Sequence, residues 1–293
     1  MYTNLVHVVV FLLCTIASAV ALATNDSEIE YKATIAEVTI PSDGSRMPGL
    51  IYVAAGAGPH PTLILLHGFP GNERNLDLAQ AARRAGFNVV FFNYRGAWGA
   101  EGNYSLLQLV DDVEAVLTFL REPANAKEYR IDVNHLSLLG HSLGGYTALA
   151  AGAAETDLVC IGAIAPANLA LWKNSFAVND TSAERLRAYA DSLFMLSGFD
   201  SEVMQDELDA APMQDLDLRG LGGGLKDKSI LLIVGDQDPV TPAATMFGPI
   251  VEAYQQVPGL ELEHYVISGD HSFSWSRLEL IDLVLSWLDK DCR

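Results

Sequence analysis

The chain has 293 residues, half of them hydrophobic, and 18 basic residues against 37 acidic ones give a formal net charge of −19. So acidic a surface repels nucleic acid and anionic membrane faces, which excludes both as expected partners. With three cysteines in this length, a disulfide-built scaffold is excluded as well, while the apolar content supports a large core.

Residues 1–23 contain no Asp, Glu, Lys or Arg. From Val6 to Ala23 the run is mostly apolar, interrupted by His7, Thr15 and Ser18, and it closes on the small-x-small sequence Ala21-Leu22-Ala23 before the polar Thr24-Asn25-Asp26. This pattern predicts an export signal over 1–23, a mature domain over 24–293, and a periplasmic or extracellular location without stable membrane association. The competing reading is an uncleaved anchor, since the run approaches the ~20 residues of a membrane span.

Thr34 to Ile40 and Leu50 to Ala54 read as an initial pair of strands joined at Ser42-Asp43-Gly44. Thr62 to Leu66 is a short continuous apolar run, the pattern of a strand buried on both faces. A helix over 76–85 follows, ended by Gly86, and then a second buried strand, Asn88 to Phe92. Apolar residues from Leu106 to Leu120 recur at helical spacing, and Pro123 closes that helix. His135 to Leu139 is a strand, Gly144 to Ala154 an Ala-rich helix, and Leu158 to Ala165 the next strand.

The rhythm then breaks. Residues 167–228 hold several amphipathic stretches and no convincing strand, which predicts an inserted helical cap. Its acidity, concentrated between Asp180 and Asp217, reads as a solvated helical face. Alternation resumes with a strand at Ser229 to Val234, a helix over 243–256, a strand at Glu261 to Ile267 and a helix at Ser276 to Leu288. Such alternation predicts an α/β fold: a mostly parallel central sheet of about eight strands with helices on both faces. Cys14 leaves with the signal, Cys160 reads as a buried inert thiol, and Cys292 as an exposed penultimate residue, so no disulfide is expected. No Cys/His spacing suits zinc, and no metal or cofactor is expected.

Gly140-His141-Ser142-Leu143-Gly144-Gly145 joins a predicted strand to a predicted helix. A sharp strand-to-helix turn lifts a Ser hydroxyl above the sheet and needs small flanking residues, which Gly140 and Gly144 supply. The helix N-terminus beneath it favours developing negative charge. His141, adjacent to Ser142 on a sharp turn, reads as a packing residue.

These residues resemble the nucleophile elbow of the α/β-hydrolase family. His67-Gly68-Phe69-Pro70-Gly71, directly after a buried strand, is similar to the family's oxyanion loop, and Asn93-Tyr94-Arg95-Gly96 also recurs there. The longer stretch Asn93 to Ser105 resembles the branch related to prolyl oligopeptidase catalytic domains. The resemblance spans about residues 32–290. It implies a triad in the order Ser, acid, His. Asp238, in Asp236-Gln237-Asp238-Pro239-Val240-Thr241-Pro242, matches the acid, with Asp236 as local competitor and a helix N-cap as its alternative role. His271, in Gly269-Asp270-His271-Ser272-Phe273, matches the base.

The resemblance therefore implies a serine hydrolase in which Ser142 attacks a carbonyl, His271 takes its proton and Asp238 orients the imidazole. The N–H groups of Phe69 and Leu143 are the expected oxyanion donors. His67 is expected to brace that loop, and Arg95 to anchor the loop before Trp98, with carboxylate binding as a secondary role. In the cap, Trp172, Phe176, Phe194 and Phe199, with Tyr189 and Met195, are candidates for an apolar substrate wall, against the alternative that they pack the cap onto the core. No paired-carboxylate clamp for a peptide amine is evident, so the expected substrate is a small-molecule ester before a short peptide. A peptidase or amidase, a perhydrolase, and a non-catalytic binding protein are the other readings.

Overall fold

The structure, a computed structural model, describes residues 31–293. The predicted export signal lies outside these residues. Eight strands form one sheet in the order β1-β2-β4-β3-β5-β6-β7-β8. They are β1 (Thr34–Ser42), β2 (Ser45–Val53), β3 (His60–Leu66), β4 (Asn88–Phe92), β5 (Ile131–His141), β6 (Leu158–Ile164), β7 (Ser229–Gly235) and β8 (Glu261–Ile267). Strand β2 pairs antiparallel with both β1 and β4, and every pair from β4 to β8 is parallel.

Helices cover both faces, which is why the central strands read as unbroken apolar runs. In β3, Ile64 and Leu66 join the core beneath α2 (Leu109–Arg121) and α4 (Leu143–Ala154). The alternate residues Leu63 and Leu65 join the opposite core, formed with α1 (Leu76–Arg84) and the last helix, α10 (Arg277–Asp291). A short α3 (Pro123–Glu128) carries Pro123 in its first turn, where a missing N–H costs nothing. Thus Pro123 starts a helix directly after the one it was expected to close. The predicted helix over 243–256 is divided into a π-helical turn, Ala243–Phe247, and α9 (Gly248–Gln255), with Pro249 in the first turn of α9.

Between β6 and β7 the chain forms α5 (Leu169–Val178), α6 (Thr181–Ala190), α7 (Ser201–Ala210), the short α8 (Met213–Leu216) and a 3-10 turn, Leu218–Gly223. These helices fall within residues 167–228, the stretch read from the sequence as strand-free. Its acidic residues do more than face solvent. Asp180 and Asp200 accept backbone N–H bonds at the starts of α6 and α7, and Asp217 does so at the start of the 3-10 turn. Glu207 on α7 accepts the Leu106 N–H at 2.7 Å, tying the insertion to the chain entering α2. α2 begins at Leu109, three residues after the apolar periodicity does. Lys173 Nζ donates to the carbonyls of Leu208, Asp209 and Ala211, closing the end of α7. Among the described residues no helix is long and apolar enough to cross a membrane.

One expectation is overturned. Cys160 and Cys292 form a disulfide across 132 residues, and both are fully buried. Cys292 follows the last turn of α10, which packs onto the same face of the sheet that Cys160 projects from on β6. The penultimate position in sequence is therefore an interior position in space. Closing so long a loop removes unfolded-chain entropy worth on the order of 2–5 kcal/mol. The paired variant Cys160→Ala/Cys292→Ala is expected to lose that much stability in urea unfolding, and reductant is expected to destabilise the parent but not the variant.

Candidate active site

The residues singled out by the sequence lie at the carboxyl ends of the parallel strands. The order reverses between β3 and β5, and a crevice at such a reversal is where open α/β sheets bind ligands. Ser142 follows β5 and immediately precedes α4, with φ 58° and ψ −119°. That left-handed backbone is costly for a residue with a Cβ and needs support from its surroundings. The support is close packing of bare backbone: a Cβ on Gly140 would overlap the Gly144 carbonyl, and one on Gly144 would overlap the Leu66 carbonyl. The Ser142 N–H donates to the Ile164 carbonyl at 2.9 Å, and the Ser142 carbonyl accepts from Gly145, Tyr146 and Ala167.

Asp238 and His271 sit on the loops after β7 and β8. His271 Nδ1 donates to Asp238 Oδ2 at 2.7 Å. The same oxygen accepts the Thr241 hydroxyl at 2.6 Å, while Oδ1 accepts the N–H groups of Val240 and Thr241. Asp238 thus partners His271 and closes its own turn, and it is not a helix N-cap, since the π-helical turn that follows is preceded by Pro242. Burial alone would raise its carboxyl pKa, but these bonds and the His271 charge outweigh burial and hold it at about 2. Asp236, the competitor, instead accepts the Gly269 N–H and braces the loop that carries His271.

Ser142 and His271 line one small cavity of about 100 Å³, together with residues 68–73, His141 and Ser272. The loop from Gly68 to Gly71 forms part of its wall. A Cβ on Gly68 would stand 2.9 Å from the Ser142 Cβ, so this loop passes as close to the hydroxyl as the chain allows. Phe69 follows Gly68, and Leu143 opens α4. Neither N–H has a backbone acceptor among the described residues. Trp98 Nε1 donates to the Pro70 carbonyl at 2.7 Å and fixes the loop from outside.

His67 braces the loop as expected, donating from Nδ1 to the Gly68 carbonyl at 2.8 Å; burial pushes its pKa down to about 4 and keeps it neutral. Arg95 points away from the cavity, with Nε 2.5 Å from Asp112 Oδ1 in a buried pair, and takes no part in the site. His141 does more than pack. Its Nε2 donates to the His271 carbonyl at 2.7 Å, and burial, reinforced by the neighbouring His271 charge, lowers its pKa to about 3. The sequence carried no signal for this bond, because it joins residues 130 apart.

The cap aromatics divide. Phe69 meets Trp172, Tyr189 and Phe199 at ring separations of 6.1, 5.9 and 5.6 Å, and Tyr104 joins from the core at 6.1 Å. Phe176 is buried under the Arg187 guanidinium, and Phe194 is 92% exposed, so the structure brings neither to Phe69. Met195 packs its side chain against the core, and its carbonyl accepts the Trp98 N–H.

The profile of the alpha/beta hydrolase family matches residues 63–282. The chain belongs to that family. In sequence it is 33% identical to the uncharacterized protein YfhR of Escherichia coli O157:H7 over 115 residues, 37% of this chain and 38% of that protein. It is 30% identical to the hydrolase acrC of Aspergillus aculeatus over 169 residues, 51% of this chain and 39% of that one. The chain thus spans under two fifths of the length of these curated relatives. In fold it is similar to Est1E from Butyrivibrio proteoclasticus, with TM-score 0.66 and 16% identity over 87% of this chain and 98% of that one. It is also similar to the Pyrococcus furiosus esterase Pf2001, with TM-score 0.67 and 16% identity over 92% and 95%.

Two outcomes follow from the bonds around His271. His141→Leu leaves the His271 carbonyl without its donor and is expected to cost about 1–3 kcal/mol in denaturant unfolding. The Asp238 carboxyl sits at about 2 in the folded protein against an ordinary 3.8, so its stabilising contribution is complete above about pH 4 and is lost as pH falls toward 2. The stability gap between the parent and Asp238→Asn, followed by urea unfolding, is expected to close over that interval.

Proposed function

We propose that the protein is a serine hydrolase that cleaves carboxylic esters through an acyl-enzyme, with Ser142, His271 and Asp238 as its catalytic triad. One observation carries the reading: Ser142, held on a strained turn, shares a small cavity with a histidine whose Nδ1 is fixed by a buried carboxylate.

A Ser hydroxyl is a weak nucleophile near neutral pH and needs a base. With Nδ1 committed to Asp238, the free nitrogen of His271 is Nε2, the one that accepts the Ser142 proton as Oγ adds to the carbonyl carbon. The negative charge moves to the carbonyl oxygen, which takes hydrogen bonds from the Phe69 and Leu143 N–H groups. His271 then passes its proton to the departing alcohol oxygen. Water, deprotonated by the same imidazole, attacks the acyl-enzyme and releases the acid. The rings of Trp172, Tyr189 and Phe199 pack around Phe69, and Phe69 itself lines the cavity and offers the acyl group an apolar surface.

The reading extends to location. A buried disulfide persists in oxidising compartments, and it agrees with an exported protein cleaved after Ala23.

With a short-chain aryl ester, Ser142→Ala is expected to lose more than a hundredfold of kcat, and Asp238→Asn roughly 10⁴-fold, as observed for the equivalent change in serine proteases. A fluorophosphonate is expected to label the parent on Ser142. Retained activity in Ser142→Ala rejects the triad. Faster turnover of aminoacyl anilides than of esters keeps the triad and moves the substrate class to amides.

A further inference from the structure

The cavity at Ser142 borders a second space. Asn72, Glu73 and Ser272 line both the cavity and an adjoining groove of about 560 Å³. The groove is walled by residues from 72–77 and from 272–277, with no residue of the cap. Its volume lies within the ~300–1,000 Å³ of sites that hold small ligands.

The character of this groove is opposite to that of the Phe69 wall. Leu76 is its one apolar lining residue. Two carboxylates and two guanidinium groups line it, so their charges balance. Arg277 is bound by Asp77 at 2.6 Å and by Asn75, and the Arg74 guanidinium lies over the Trp98 ring at 4.7 Å. Glu73 Oε1 accepts the Asn75 N–H, and the Glu73 carboxylate has no ion-pair partner among the described residues. A surface with donors and acceptors and no net charge matches hydroxyl groups, each of which gives one hydrogen bond and takes others.

Its place relative to His271 assigns its role. The imidazole must reach the oxygen that leaves, so the leaving group lies on the histidine side of the scissile carbon. One wall of the groove runs on directly from His271 through Ser272 and Ser274 to Arg277. The aromatic rings stand around Phe69, and none of the three cap rings lines the groove.

We propose that this groove is the leaving-group subsite and that it takes a neutral, polyhydroxylated alcohol, such as a sugar, esterified to the acyl group held near Phe69. The proposal rests on the serine-hydrolase reading above. In the step it describes, the bond from Ser142 Oγ to the carbonyl carbon forms and the bond from that carbon to the sugar oxygen breaks. The Ser142 proton travels through His271 to that oxygen, and water then hydrolyses the acyl-enzyme to the acid.

The test compares two esters with the same acyl group and leaving groups of similar size, 6-O-benzoylglucose and cyclohexylmethyl benzoate, on the full protein. The sugar ester is expected to show kcat/KM at least about tenfold higher, the worth of one or two well-placed hydrogen bonds. Asn72→Leu and Glu73→Leu, each checked for a native circular-dichroism spectrum and for fluorophosphonate labelling, are expected to bring that ratio toward one. Equal or slower cleavage of the sugar ester, or a ratio unmoved in both variants, overturns the subsite and leaves the hydrolase reading standing. Failure of the parent to cleave either ester or to take the fluorophosphonate overturns both.

Discussion

The backbone turn at Ser142 is the constraint on which the rest of the site depends. A parallel strand in the middle of the sheet must become a helix within one residue, and that residue takes a left-handed conformation. The turn is tolerated because backbone packs directly on backbone. Gly140 lies against Gly144, and Gly144 against the end of β3. The same closeness sets the distance from Ser142 to the loop after β3, so the nucleophile and the oxyanion donors proposed for it are fixed together by one steric arrangement. For the proposed chemistry, such geometry benefits from being held before substrate arrives.

The other half of the site is held by hydrogen bonds instead of steric fit. Asp238 spends one oxygen on its own turn and the other on His271 and Thr241. Asp236 secures the backbone leading to His271, and His141 secures its carbonyl. Two loops that leave the sheet at different strands are thereby tied to each other and to the elbow. The His141 bond is the direct link, since that residue precedes Ser142.

Around this centre the molecule is asymmetric. One side carries the insertion, latched through Glu207 and through the bridge between Ala97 and Leu196, and presents aromatic rings to Phe69. The other side is built from the start of α1 and the chain entering α10, and is polar and charge-balanced. Near the N-terminal edge of the sheet the Cys160–Cys292 bond fastens the end of α10 to β6. That anchors the helix whose first turn borders the polar groove.

Much of this was legible in the sequence because it depends on local pattern. Buried parallel strands appear as short apolar runs, the elbow needs its glycines beside Ser142, and Asp238 and His271 each follow a strand. By itself the sequence determined the alternating α/β frame, the position of the insertion and the choice of residues that meet at the sheet's edge. Tertiary structure decided what depends on contacts between distant residues. It made the penultimate Cys292 an interior residue, turned Phe194 outward while drawing Trp172 and Phe199 to Phe69, and paired Arg95 with Asp112. It also tied the chain entering α2 to a carboxylate about a hundred residues away. Periodicity and turn chemistry are written along the chain, whereas the partner of a side chain exists only once the chain has folded back on itself.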